Sequence, residues 1–304
     1  MKILVVLGVT DHKEWGIGYP DNYMNDPVIQ AWQRFGARNA DIEIIGGTCP
    51  GMLPTNKVDA VIEYEARKHI HNAGIDKFKC LKVFHAQDTV FYPEWHNFLA
   101  KSFDMIVCAQ RNADRAIKHP NKVFIPSGFD PFKMKRIEVI PKIYDIGLIS
   151  SKRDYDYRKG YLDKLPDGIR TNIWTGVNPN EMAYALNQCY MGLNVSSTGT
   201  EDMLAYRICE TLACGLLFVT DRLKNNILDE FYEDGVHYLG YDKDDYAEFI
   251  KKVVWVKENP AEAEKIRIAG YERVQDFTWD RHVEKIMDAI KKEINDNPGK
   301  YKAA

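Results

Sequence analysis

The sequence predicts an α/β protein with two parallel sheets, and three observations carry that prediction. Short apolar runs of strand length alternate with helical segments along the chain, the pattern of βαβ units. These units fall into two sets, separated by residues 126–141, which hold prolines, a glycine and a basic cluster and read as a linker. At 304 residues, 45% hydrophobic and 28% charged, the chain is an ordinary globular sequence with room for two compact domains.

The first set opens with KILVVLGV (2–9). This run is short, is followed at once by Asp11, His12, Lys13 and Glu14, and lacks a small-residue cleavage site, so it is a first strand rather than a signal segment. A helix near 26–39, strands at 42–47 and 59–64, and a helix to about 73 follow. Then come strands KVFHA (82–86) and DMIVCA (104–109), a short helix, and KVFIPSG (122–128). The second set begins at YDIGLISS (144–151) and continues through IRTNIWTG (169–176), a helix over 178–189 and the strand MGLNVSS (191–197). After the helix that ends at Gly215 come the strand LLFVTD (216–221), a helix over 244–259 and a closing helix within 277–290. The tail NPGKYKAA is expected to fray.

The segment from Gly199 to Gly215, GTEDMLAYRICETLACG, is a polar acidic loop running into a helix that ends at glycine, set between two apolar strands. Such a loop lies at the carboxyl edge of a parallel sheet, where helix N-termini attract phosphate. Thr200 or Asp202 can cap the helix. Ile208 and Leu212, with Ala205, Cys209 and Ala213, form its sheet-facing side. Arg207 and Glu210 lie off that face, three residues apart. They form either a local ion pair or a group whose carboxylate accepts hydrogen bonds from ribose hydroxyls.

The run E…RxxExLACG…VTD resembles the nucleotide-binding motif of retaining GT-B glycosyltransferases of the group-1 type, especially their spore-maturation-protein-like branch. IPSGFDP (125–131) is similar to the interdomain IPNGVDP of that family, and FTWDRHVEKIMDAI (277–290) to its closing TW..R helix. The resemblance is good over 123–290 and is one of fold pattern over 1–120. It implies two Rossmann-like domains facing across a cleft: an acceptor-binding domain, 1–135 with the helix of about 280–304, and a nucleotide-sugar domain, 142–279. The C-terminal helix would cross back to the first domain. The resemblance assigns the donor ribose to Glu210 and the donor sugar to Glu201, with Gly199 and Thr200 in the nucleotide loop. Glu201 stands nine residues before Glu210 rather than the usual eight, a spacing that Asp202 has instead.

The resemblance bears on further residues. Gly16-Ile17-Gly18 follows the first strand without completing a dinucleotide fingerprint, so Gly18 marks either a turn or a loop whose backbone approaches a diphosphate. His85 ends the KVFHA strand, where similar enzymes place a histidine that touches the donor sugar; Asp88 binds an acceptor hydroxyl or caps the next turn. Lys152, Arg153, Arg158 and Lys159 form a basic run that is either a solvated face or a source of countercharge. The family uses a basic residue of this loop to neutralise the departing diphosphate, which points to Arg153 first, Lys152 second and Arg207 in support. Trp174 packs near the base or in the core. Asp154-Tyr155-Asp156 mimics a metal-binding D-x-D, but stands among four basic residues. With no third ligand at a recognisable spacing around His85, no metal and no cofactor are expected.

The expected function is metal-independent transfer of a sugar from a nucleotide donor, UDP being the most frequent, to a hydroxyl acceptor with retention of configuration. The alternatives are a nucleotide-sugar epimerase of GT-B shape, a non-catalytic nucleotide-sugar-binding protein, and, for the acceptor, modified bases of phage DNA. Trp15, Tyr19, Tyr23, Trp32, Arg34, Arg38, Phe91, Tyr92 and Trp95 are compatible with base stacking, a carbohydrate or plain core. A formal net charge of −3 gives no global attraction to nucleic acid or anionic lipid. No stretch approaches the roughly 20 apolar residues that span a bilayer. Cys49, Cys80, Cys108, Cys189, Cys209 and Cys214 contain no C-x-x-C pair and are expected to be reduced, which with the absence of a signal segment predicts a cytoplasmic protein.

Overall fold

Near-continuous apolar runs cannot leave either face in water, and in both halves of the chain they form parallel sheets covered on both faces. The computed structural model describes residues 1–7, 27–39, 41–46, 58–64, 75–87, 89–178, 180–197, 203–204, 206–224 and 227–301. They divide into two compact units, Met1–Ser127 with Trp279–Ala304, and Gly128–Thr278. No helix among the described residues is long and apolar enough to cross a membrane.

Among the described residues, the first unit holds six strands: β1 (Lys2–Leu7), β2 (Asp41–Gly46), β3 (Ala60–Tyr64), β4 (Leu81–Ala86), β5 (Met105–Cys108) and β6 (Lys122–Phe124). Their order is β2-β1-β3-β4-β5-β6, all parallel. Leu4, Val61, Phe84 and Ile106 centre its core. Helix α1 (Pro27–Asn39) buries Val28, Ile29, Ala31, Trp32 and Phe35, and helices α2 (Pro93–Ala100) and α3 (Arg111–Ala116) follow β4 and β5. Arg34 of α1 donates from Nε to Asp280 Oδ1 at 2.9 Å, so it clamps the start of the last helix of the chain, Trp279–Asp296. That helix buries Trp279, His282, Val283, Ile286, Met287 and Ile290, a helical stripe, and so crosses back to the first unit.

The second unit holds β7 (Tyr144–Ser150), β8 (Thr171–Thr175), β9 (Cys189–Asn194), β10 (Leu217–Asp221) and β11 (Leu239–Tyr241), in the order β11-β10-β9-β7-β8 and again all parallel. Its helices are α4 (Tyr155–Leu162), α5 (Met182–Asn187), α6 (Tyr206–Ala213), α7 (Tyr246–Glu258) and α8 (Pro260–Val274), so that Trp279–Asp296 is α9. Helix α6 sits directly on β9 because Gly192 has no side chain: a Cβ there would lie 2.2 Å from Thr211 Cγ2. Asp245 caps α7 by accepting from Glu248 N at 2.9 Å.

Residues 126–141 are not a free connection. Phe129 and Met134 are buried in the core of the second unit, Phe129 N donates to Phe277 O at 3.0 Å, and Asn187 fixes the backbone at Ile137 with a bond of 2.8 Å. Proline and charge made the segment resemble a linker, but three large apolar residues anchor it. Helices α2, α4 and α8 and strand β11 are additional to the elements read from the sequence, and the helix expected up to residue 73 lies outside the described residues.

Candidate functional site

Strand β7 lies between β8 and β9, so the connections on its two sides leave in opposite directions and open a crevice beyond the carboxyl ends of β7 and β9. The side chains of Ser150, Ser151, Asp154, Arg158 and Ser197 converge there. Arg158 of α4 donates from Nε to Val195 O at 3.1 Å, from Nη1 to Ser150 Oγ at 3.4 Å and from Nη2 to Ser197 Oγ at 3.3 Å. It thereby ties the end of β7 to the segment after β9. Asp154 Oδ2 accepts from Ser151 Oγ at 2.8 Å and Ser197 Oγ at 2.9 Å, and lies 3.9 Å from Arg158. Burial alone would raise the Asp154 pKa, but the bonds from Ser151, Ser197 and Arg153 outweigh it and hold the carboxyl below its ordinary value. Burial lowers the Arg158 pKa; the Asp154 charge opposes this, and the Arg207 charge adds to it. Arg207 of α6 is therefore in electrostatic range of Arg158.

On α6, Arg207 Nη1 and Glu210 Oε2 are 2.7 Å apart, with side chains 24% and 18% exposed. Their geometry is ionic rather than a directed hydrogen bond, and both atoms are buried without a hydrogen-bond partner. A carboxylate held against a cation with acceptor capacity to spare suits a vicinal diol. One strand over, Asp221 ends β10 fully buried; its Oδ1 accepts from Ser196 N at 2.9 Å and its Oδ2 has no partner. Burial raises its pKa despite the Ser196 bonds. Asp221 thus fixes the backbone at the root of the acidic loop.

The remaining candidates occupy different surroundings. Lys152 is exposed, and Arg153 is 58% exposed with Nε 3.3 Å from Asp154 Oδ1. Lys159 pairs with Asp163 at 2.6 Å on the surface. Trp174 packs edge-on against Tyr144, with ring centres 5.6 Å apart, and over Gly147, where a Cβ would come 2.7 Å from its ring. This placement is a packing role. Gly18, Asp88, Gly199, Thr200, Glu201 and Asp202 lie outside the described residues. Among the described residues, no three His, Cys, Asp or Glu side chains are grouped to hold a metal ion.

In the first unit, His85 lies near the carboxyl end of β4, fully buried. Its ring stacks on Tyr64 with centroids 4.2 Å apart, and Tyr64 Oη donates to Gln87 Oε1 at 2.8 Å. His85 Nε2 is 2.8 Å from Nε2 of His282 on α9. Sequence reasoning passed over Arg158 as part of a charge run, and over Asp221 and His282 entirely. A carboxylate ending an apolar strand was the available signal for Asp221; His282 gave none beyond its place on the apolar stripe of a helix.

Residues 144–288 match the family model described as Glycosyl transferase-like. No curated protein matches the chain in sequence. Among solved structures, HepE of Anabaena, in complex with UDP and glucose, superposes with a TM-score of 0.67 at 13% identity, covering 96% of this chain and 100% of its own. An alpha-glucosyltransferase in complex with UDP-glucose and DNA containing an abasic site gives 0.63 at 13% identity, covering 96% and 99%. TarM of S. aureus gives 0.58 at 10% identity over 79% of this chain and 56% of its own. These likenesses establish the GT-B fold. The family match runs from β7 into α9 and so lies on the second sheet and the helix that follows it.

Proposed function

We propose that this chain is a glycosyltransferase that moves a sugar from a UDP-linked donor to a hydroxyl acceptor, with retention of configuration and without a metal ion. The observation that carries this reading is the Arg207–Glu210 pair on α6, whose Arg207 is within electrostatic range of Arg158 in a crevice that Arg158 and Asp154 build from the ends of β7 and β9. Glu210 accepts from the ribose hydroxyls. Arg153, Lys152 and Arg207 offset the charge of the leaving diphosphate, and the loop at Gly199 and Thr200 offers backbone N–H groups to it. Glu201, or Asp202 at the commoner spacing, faces the donor sugar. The chemistry then rests on stabilising an oxocarbenium-like sugar while a diphosphate oxygen helps to deprotonate the acceptor hydroxyl, so no protein nucleophile is required.

The solved neighbours bound to UDP or UDP-glucose favour uridine as the base. In this reading the second unit, about 142–279, holds the donor, and the first, 1–135 with about 280–304, the acceptor. Free buried thiols at Cys80, Cys108, Cys189, Cys209 and Cys214 agree with a cytoplasmic setting. DNA is the second reading for the acceptor, because one structural neighbour is bound to DNA; the net charge of −3 weighs against it.

The central assignment is tested with Glu210→Ala. The variant keeps the wild-type melting temperature without ligand and loses the stabilisation that UDP-glucose gives the parent. Unchanged donor affinity would reject the role of Glu210, and an inverted anomeric product, read by proton NMR, would reject the mechanism.

A further inference from the structure

His85 and His282 form a chain of hydrogen bonds whose proton positions follow from its far end. His282 Nδ1 is 2.9 Å from Pro126 O, and a carbonyl can only accept, so Nδ1 of His282 carries a proton. Burial lowers the His282 pKa to about 4 and, together with the His282 charge, brings that of His85 well below its ordinary value, so both rings are neutral near pH 7. His282 Nε2 is then bare. The proton in the 2.8 Å contact between the two Nε2 atoms belongs to His85. This leaves His85 Nδ1 as a lone pair, and that atom is buried with no hydrogen-bond partner. Tyr64 stacks on one face of the His85 ring, and Trp279 packs edge-on against His282 with centroids 5.1 Å apart.

We infer that His282 is a positioning residue: it imposes the Nε2–H tautomer on His85 and so presents His85 Nδ1, near the carboxyl end of β4, as a hydrogen-bond acceptor for a sugar hydroxyl. The inference rests on the proposed sugar transfer for the identity of the hydroxyl, and on the structure alone for the tautomer. A buried acceptor without a partner costs about 1–3 kcal/mol, and here a neutral ring is oriented by Tyr64 on one face and by His282 at its opposite nitrogen, so that only an O–H or N–H donor can satisfy Nδ1. The tautomer is a consequence of a carbonyl 41 residues along the chain from His85, delivered through a helix from the far end of the sequence.

Nitrogen-15 NMR of the full-length, histidine-labelled protein tests this. In the wild type the His85 ring should show a protonated Nε2 and a bare Nδ1; a protonated Nδ1 overturns the inference. His282→Phe removes the acceptor, frees the tautomer and lowers turnover of UDP-glucose on the order of tenfold while leaving affinity for UDP itself unchanged. His282→Gln, whose Oε1 can accept from His85 Nε2, should restore both the tautomer and the turnover. Wild-type turnover in a His282→Phe variant with an altered tautomer refutes the role. If that variant does not fold, titrations of the wild type decide. UDP-glucose moving the Nδ1 resonance where UDP does not identifies a donor hydroxyl, movement with free glucose alone identifies an acceptor hydroxyl, and no movement with either overturns the inference. Loss of donor binding in Glu210→Ala is read separately, so failure of the functional reading leaves the tautomer result standing.

Discussion

Arg158 and Asp221 show how single side chains shape the crevice without necessarily touching a ligand. Arg158 is committed to Val195, Ser150, Ser197 and Asp154, so its guanidinium is a strut between two loops. Lysine has no fork to reproduce those bonds. Arg158→Lys should therefore lose about 1–3 kcal/mol in urea denaturation, because buried acceptors are left unpaired. Asp221 works in the other direction. Its pKa is raised in the folded protein by burial, so the folded state holds a proton that the unfolded chain releases, and stability falls as pH rises above the unfolded carboxylate range. Asp221→Asn keeps an acceptor for Ser196 N and removes the titration. Its melting temperature should exceed that of the wild type at neutral pH, and the gap should close as pH falls below the ordinary carboxylate range; a gap independent of pH would exclude burial of the charge as the cause.

At the scale of elements, α6 depends on Gly192. A Cβ on that residue would overlap Thr211 Cγ2 at 2.2 Å, so Gly192→Ala must push α6 and its Arg207–Glu210 pair off β9. The expected cost is about 1–3 kcal/mol, the range for overpacking, together with weaker UDP binding. Thr211→Ser removes the offending methyl and should recover both in the double variant, as measured by urea denaturation and calorimetry. The strands around this glycine were legible in the sequence because parallel strands buried on both faces are near-continuous apolar runs, and the i, i+3 spacing of Arg207 and Glu210 placed them on one side of α6. Helix α4 was not legible. Its charges look like any solvated face until Val195 and Ser197, 37 and 39 residues further on, supply acceptors for Arg158. Helix α8 has little apolar periodicity, and β11 has only three residues, too few to show a period.

At the scale of the molecule, the chain leaves the first unit at Ser127 and returns to it at Trp279, where Arg34 clamps Asp280 and His282 reaches Pro126 and His85. The two sets of βαβ units were legible in the sequence, and the return of the last helix was an expectation from its resemblance to a closing TW..R helix. The sequence could not show that this helix also supplies a polar contact to β4, since pairings 197 residues apart leave no local pattern. The groups proposed to face the nucleotide lie in residues 150–221, all inside the second unit. Hydrogen exchange should therefore register UDP as slowed amides at 151–154, 195–197 and 206–210, with the strands of the first unit unchanged. The donor site as proposed uses side-chain cations, backbone N–H groups and Glu210, so the same protection should persist in excess EDTA. Protection that EDTA abolishes would put a divalent ion in the site, and protection confined to β4 and α9 would move the nucleotide to the first unit.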